Sequence, residues 1–208
     1  MIEVINVTEL FNKLNEDKRL AIINSGIEVF SIYGFQKAST DLITSKAGIS
    51  KGLLFYYFKN KLSYFTYLFE YSQKMISSTI DIDICRKTKD FFEVLEYIIE
   101  QKYKLLAKYP HILNFIVVAY YSSDERVIDI VKNKVTSYDN FDIYEYLENI
   151  DKSKFKNEED IHKVIEMLSL MLDGYLQNKL KMNQNIEIDE IMEKYKLWTS
   201  LLKEAVYK

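Results

Sequence analysis

Glycine and proline together account for only six of the 208 residues, against roughly 12% of an average protein. A sheet protein of this length needs many turns, and turns depend on glycine, proline, asparagine and aspartate at defined positions. The chain is therefore predicted to be all-α, with long helices. Its 48% hydrophobic and 28% charged residues are typical of a folded globular protein rather than a disordered one.

Several classes of protein are excluded by what the chain lacks. The longest apolar run, residues 115–121, falls far short of the roughly 20 residues that cross a bilayer. A lone Cys85 and two histidines offer no disulfide and no structural zinc site. No glycine-rich phosphate loop, HExxH or GxSxG pattern indicates an enzyme. With an acidic amino terminus unlike a secretory signal, we expect a cytoplasmic protein without cofactor or metal.

The glycines are concentrated, because four of the five lie within 27 residues, from Gly26 to Gly52. A first helix is predicted from an N-cap at Asn15, along an apolar stripe at three- and four-residue spacing, to a stop at Gly34. The next N-cap, Ser39-Thr40, starts a two-turn helix that ends at Gly48. Ser50 then caps a third helix. Two short helices joined by a tight glycine turn are typical of the helix-turn-helix, whose second helix enters the DNA major groove.

The charge pattern agrees with a small nucleic-acid-binding module. The whole chain has a net charge of −3, yet residues 34–61 carry five lysines and one aspartate, which are Lys37, Lys46, Lys51, Lys59, Lys61 and Asp41. Lys51 and Lys61 each follow a helix-capping residue, where the helix dipole disfavours a cation. A phosphate held by the free backbone amides and the lysine would reverse that penalty. A solvated charged surface with two tolerated lysines is the alternative.

The segment 39–61, STDLITSKAGISKGLLFYYFKNK, resembles the DNA-binding signature of TetR-type transcriptional regulators. The resemblance covers about residues 18–65; elsewhere the match is only one of helical character and length. Gly26 departs from it, since the family favours alanine there. The resemblance implies that Thr40, Tyr56, Tyr57 and Lys61 bind backbone phosphates.

Under the same resemblance Lys51, Gly52 and Leu53 lie nearest the base edges, where a lysine can donate to guanine O6 or N7. The complete set of expected DNA-binding residues is Ser39, Thr40, Lys46, Ser50, Lys51, Gly52, Leu53, Tyr56, Tyr57 and Lys61.

The remainder of the chain is predicted to form a larger helical domain. We place the helix-turn-helix domain at residues 1–60, with its motif at about 39–58, and the effector-binding and dimerisation domain at 61–208. Helices 157–182 and 188–206 carry more apolar positions than one stripe needs. The simplest explanation is a homodimer in which these two helices form a four-helix bundle with their copies, and the resemblance implies the same interface. Such a dimer presents two recognition helices to double-stranded DNA with a palindromic operator.

The resemblance also implies control by a small effector. A pocket for an apolar or aromatic ligand would be lined by Tyr103, Phe115, Tyr120, Met167, Met171 and Tyr175. Methionines and aromatic residues at helical spacing are, however, more often part of the core. The expected function is a transcriptional repressor released from DNA by that effector. Two alternatives stay open: a DNA-binding organiser that answers to no ligand, and a helical interaction protein that retains a TetR-like head.

Overall fold

A computed structural model describes residues 7–138 and 143–208 of the chain. The fold is all-α, and none of the helices in these two ranges is long and apolar enough to cross a membrane. The α-helices, numbered in chain order, are α1 Val7–Asn12, α2 Glu16–Lys37, α3 Thr40–Ala47, α4 Lys51–Phe58, α5 Lys61–Ser77, α6 Ile82–Lys87, α7 Phe91–Lys108, α8 Pro110–Tyr120, α9 Glu125–Tyr138, α10 Ile143–Tyr146, α11 Asp160–Lys181 and α12 Ile188–Val206. A short 3₁₀ helix, Lys152–Lys154, precedes α11.

The helices pack as two compact units. The first contains α1 to α5 as far as Met75 together with the segment His111–Ser137, and the second contains Ile76–Pro110 and the described chain from residue 143 onward. The expected domain boundary at residue 60 divides the chain by function, with DNA binding before it and effector binding and dimerisation after it. Packing divides the chain differently, because α5 and α8 complete the core beneath the helix-turn-helix. The functional boundary therefore stays a prediction.

Aromatic rings build the core of the first unit. The fully buried rings of Phe30, Phe65 and Phe115 lie edge to face or tilted, with centroids 5.1 to 6.2 Å apart. These geometries are the favoured ones for aromatic pairs. They bring α2, α5 and α8 together, so the helix-turn-helix packs on an apolar core.

Gly26 is explained by its neighbour on α5. Tyr64 is fully buried and its hydroxyl donates to the Ile22 carbonyl oxygen of α2. A Cβ at Gly26 would come within 2.1 Å of that hydroxyl oxygen and within 2.6 Å of a Leu68 methyl carbon. The tyrosine occupies the space that a side chain at residue 26 would need, and burial raises its pKa above the usual value.

The second unit is held together by a separate apolar cluster. Phe91 and Val94 of α7 are fully buried in it with Phe155 and Val164, and α12 contributes Leu202. Asp90 caps α7 by accepting from the Phe92 and Glu93 amides and forms an ion pair of 2.8 Å with Lys154. The helices α7, α11 and α12 thus share one core.

Most of the predicted helices are confirmed, including the last one at residues 188–206. At Gly34 the backbone has φ 66°, as expected for a stop, but one further turn follows and α2 ends at Lys37. Residues 81–88 look like a polar connector in the sequence, but this expectation is wrong, because Asp81 caps the short helix α6, on which Cys85 is buried. Helix α1 was not predicted from the sequence either, and its Phe11 is fully buried.

Candidate nucleic-acid interface

The first helix of the motif, α3, is fixed by signals within ten residues. Ser39 has an extended backbone, and its hydroxyl oxygen accepts from the Leu42 amide at 3.4 Å. Ile43, Thr44 and Ala47 are buried, which anchors α3 against α2. The buried Thr44 hydroxyl donates to the Asp41 carbonyl oxygen at 3.1 Å, so this polar group is satisfied inside the motif.

The turn between α3 and α4 needs a glycine. Gly48 lies in the left-handed region with φ 65° and ψ 34°, and the Ile49 amide donates to the Thr44 carbonyl oxygen at 3.0 Å. Ser50 then caps α4 by accepting from the Leu53 amide at 3.2 Å. This geometry sets α4 at a fixed angle to α3, as a helix-turn-helix requires.

The outer surface of α4 begins with Lys51 and Gly52, both exposed, while Leu53 is partly buried. A Cβ on Gly52 would have the Ser50 hydroxyl oxygen, 3.9 Å away, as its nearest neighbour, and Gly52 does not have a positive φ. Neither space nor backbone conformation therefore requires glycine at residue 52. The buried side of the helix is formed by Leu54 and Phe58.

Two tyrosines near the end of α4 differ in how far they are exposed to solvent. Tyr56 is 58% exposed, as a residue that contacts DNA would be. Tyr57 is partly buried, and its ring meets that of Phe11 edge to face at 5.4 Å. Phe11 also contacts Phe58, with ring centroids 4.8 Å apart. Helix α1 therefore positions the end of α4. This role was not predicted, although residues 10–14 carry an apolar pattern.

Two of the predicted DNA-binding lysines are ion-paired in the free protein. Lys51 Nζ lies 3.0 Å from a carboxylate oxygen of Asp41, with both side chains exposed. Lys46 Nζ lies 3.0 Å from Glu28 Oε1 of α2. Exposed pairs contribute little to stability, so a phosphate or a base edge can displace these carboxylates at small cost.

Lys61 starts α5 in a more constrained setting. Asn60 precedes it and accepts from the Ser63 amide at 2.8 Å. The Lys61 ammonium donates to the Gln36 carbonyl oxygen at 3.3 Å and lies 5.0 Å from the centre of the Phe35 ring. Burial, and secondly the charge of Arg126, lower the pKa of Lys61. Two further predicted DNA contacts stand at the start of α3: Ser39, which is exposed, and Thr40, which is partly buried.

Residues 22–65, which contain α3, α4 and the start of α5, match the family model described as bacterial regulatory proteins, tetR family. This match confirms the predicted resemblance of the segment to TetR-type regulators. No curated protein matches the chain.

Solved structures of bacterial regulators share the fold of nearly the whole chain. The fatty acid degradation regulator FadR from Bacillus halodurans is 20% identical, with 88% of this chain and 96% of that one covered and a TM-score of 0.61. FadR from Bacillus subtilis, in complex with stearoyl-CoA, is 19% identical with the same coverage and a TM-score of 0.60. A TetR family regulator from Marinobacter aquaeolei VT8 is 17% identical over 93% of this chain and 97% of that one, with a TM-score of 0.55.

The expected effector residues are divided between the two units. Phe115 is fully buried among the aromatics of the first unit, where Tyr120 is 45% exposed. In the second unit Met167 is 47% exposed, and the Tyr103 hydroxyl donates to Asp189 at 2.6 Å. Met171 and Tyr175 are partly buried on α11. Their grouping into one effector site stays a prediction, as do the individual DNA contacts.

Proposed function

We propose that this protein is a transcriptional repressor that binds a palindromic operator as a homodimer and leaves it when a small effector binds. The observation that carries the proposal is the helix-turn-helix itself, with Ser39 and Ser50 capping α3 and α4 around a left-handed Gly48. The family match over residues 22–65 supports it. In this arrangement α4 is the recognition helix, and Lys51 and Gly52 at its start face the major groove.

Selection of DNA fragments by the purified full-length protein tests the DNA-binding part. The enriched sequences should contain two inverted half-sites, because a two-fold dimer presents two copies of α4. Lys51→Ala should relax the preference at one position of each half-site, whereas Tyr56→Phe should weaken specific and random DNA alike. Enrichment of no sequence above random DNA would contradict the proposal.

An uncovered apolar face supports the homodimer. Met167 and Leu170 of α11 and Leu197 and Leu201 of α12 are 47 to 63% exposed. Each pair is spaced three or four residues apart and so lies on one face of its helix. Burying such a side chain contributes about 1.5–3 kcal/mol. A second copy of these two helices would remove this face from water.

The dimer is tested by placing a charge on that face. Leu201→Arg should give a monomer by light scattering at micromolar concentration and should lose operator binding. Ile84→Arg is the matched control, because Ile84 is a 43% exposed apolar residue on α6 outside both helices. A monomeric wild-type protein, or a Leu201→Arg variant that stays dimeric, would refute this interface.

The proposed effector is apolar with an anionic group. Lys102 lies on the apolar face of α7, four residues after buried Ile98 and four before buried Leu106. Within the described part of the chain no hydrogen bond or ion pair engages its ammonium group, and burial lowers its pKa. An unpaired cation on an apolar face suits an amphiphilic anion. Since a FadR of the same fold was solved with stearoyl-CoA, acyl-CoA is the first class to test.

Titration of stearoyl-CoA into the protein–operator complex tests the effector. The wild type should release DNA, and Lys102→Met should need about tenfold more ligand or above, since a charged hydrogen bond contributes about 1.5–3 kcal/mol. Lys104→Met is the control, because Lys104 is an exposed lysine of the same helix. Equal responses of the two variants would contradict the role of Lys102. Release by no ligand at all would favour the ligand-independent organiser.

A further inference from the structure

A cavity of about 400 Å³ opens beside the amino terminus of α5 in the first unit. It is lined by Phe35, Gln36, Asn60, Lys61, Leu62 and Arg126. Both charged residues of this lining are cations. Arg126 belongs to α9, outside the segment that matches the TetR family, so the resemblance assigns it no role.

The two cations share one aromatic ring. Lys61 Nζ and Arg126 Cζ each lie 5.0 Å from the centre of the Phe35 ring, so their separation cannot exceed twice that distance. A ring face stabilises a cation placed over it, which offsets part of the repulsion between these two. The structure therefore holds two like charges on one aromatic ring.

Asp124 fixes the guanidinium group of Arg126. Its carboxylate oxygens accept from Nε at 2.9 Å and from Nη2 at 2.7 Å, and one of them also accepts from the Arg126 amide at 3.1 Å. These hydrogen bonds lower the pKa of Asp124 to about 2, so the carboxylate is ionised at neutral pH. Asp124 is buried, whereas the Arg126 side chain is 61% exposed.

The pairing leaves part of Arg126 available. A guanidinium has five N–H donors, and Asp124 uses two of them on the Nε edge. The other edge of the fork is free to bind a phosphate in bidentate fashion, as arginine does preferentially. Lys61, Arg126 and Asp124 together retain one net positive charge, which favours an anionic ligand.

We propose that Arg126 and Lys61 together bind one backbone phosphate of the DNA, extending the interface from the helix-turn-helix to α9. The proposal rests on the proposed DNA-binding function. DNA is the source of the phosphate that we propose, because Lys61 begins α5 directly after the helix-turn-helix, which is the element proposed to bind DNA. The Arg126 fork then adds a second donor from an element that the helix-turn-helix motif does not contain.

The salt dependence of DNA binding tests the proposal. Each phosphate contact contributes about 0.9 to the slope of log affinity against log salt. Raising salt from about 50 to about 200 mM should therefore weaken wild-type binding about 3.5-fold more than it weakens Arg126→Gln. The loss should be equal on operator and random DNA. We expect this phosphate to be held only when both cations are present, so Lys61→Gln combined with Arg126→Gln should flatten the slope no further than either substitution alone.

The matched control is Arg86→Gln on α6, which makes the same change in net charge and also removes an exposed ion pair, with Glu148 at 3.6 Å. Its slope should equal that of the wild type. Arg126→Gln leaves the buried Asp124 carboxylate without its ion-pair partner and should lower stability, so the charge-conserving double variant Asp124→Asn/Arg126→Gln is measured beside it. Folding of each variant is checked by circular dichroism.

The proposal would be overturned if folded Arg126→Gln and folded Asp124→Asn/Arg126→Gln both had the wild-type slope. Arg126 would then only connect α9 to Phe35. A second outcome would also overturn it: Arg126→Gln has the wild-type slope, and inorganic phosphate raises the melting temperature only of proteins that retain Arg126. The cavity would then hold free inorganic phosphate. A wild-type protein that binds no DNA refutes the proposed function itself, which is a different outcome from a wild type that binds with an unaltered slope.

Discussion

Replacing Gly52 by alanine should move the stability of the fold and the affinity for DNA in opposite directions. Glycine in a helix costs up to about 1 kcal/mol relative to alanine. A Cβ at residue 52 would meet nothing closer than the Ser50 hydroxyl oxygen at 3.9 Å, and the backbone is helical there. Gly52→Ala should therefore raise the melting temperature, by up to about 2–4 °C for a chain of this size.

DNA binding should weaken because the start of α4 is the part of the proposed recognition helix that lies nearest the bases. A methyl group forced into a close-packed contact costs about 1–3 kcal/mol, which corresponds to a loss of about 5- to 150-fold in affinity. Fluorescence anisotropy with the selected operator measures this loss, and thermal denaturation followed by circular dichroism measures the stability of the same sample.

Gly48→Ala is the matched control. A Cβ at Gly48 also has nothing within 4 Å, but the backbone there has φ 65°. Alanine in the left-handed region costs about 1–2 kcal/mol, so this variant should lose stability for a purely conformational reason. If Gly52→Ala binds operator as tightly as the wild type, the start of α4 does not approach the DNA closely. If Gly52→Ala is less stable than the wild type, a methyl group at residue 52 does not have the space that the structure shows.

Three further outcomes follow from individual contacts. Gly26→Ala should destabilise the protein by about 1–3 kcal/mol in urea titrations, because its methyl group competes with Tyr64 for space, and combining it with Tyr64→Leu should cost less than the sum; strict additivity would contradict that competition. Asp41→Asn should tighten binding to operator severalfold in anisotropy titrations, since it frees Lys51 from its ion pair; unchanged affinity would show that the pair does not compete with DNA. Burial lowers the pKa of Lys102 below 10.5, so between the folded and unfolded values the unfolded chain binds more protons and wild-type stability rises with pH. Lys102→Met should accordingly be more stable than the wild type at pH 7, with the gain shrinking towards pH 10.5, and a less stable variant at pH 7 would contradict a desolvated lysine.

The helix-turn-helix could be predicted because its signals are local. Each of its caps and its turn involves residues no more than five apart, such as Ser50 with Leu53 and Ile49 with Thr44. The boundaries of α3 and α4 agree with the predicted ones for that reason. The short helix α6 was missed because its six residues include only three apolar ones, too few to show a helical pattern. Its buried side becomes visible only when Cys85 packs into the core.

The partners of the lysines could not be predicted in the same way. Lys46 pairs with a glutamate 18 residues earlier in the chain, and Arg126 reaches a ring whose residue number differs by 91. Such pairings depend on how α2, α5 and α9 are packed. The sequence marks a lysine at the start of α5 as unusual, but it does not show that a second cation stands on the same ring.

The sequence by itself determined the helical class, the position of the helix-turn-helix and the surplus of apolar residues on α11 and α12, because these follow from caps, glycines and periodicity along the chain. Only the tertiary structure decided that Tyr64 occupies the space beside Gly26 and that Asp41 forms an ion pair with Lys51. It also decided that Arg126 and Lys61 contact the same aromatic ring. Charges and ring contacts act over a few ångströms whatever the separation in sequence, so packing alone assigns their partners.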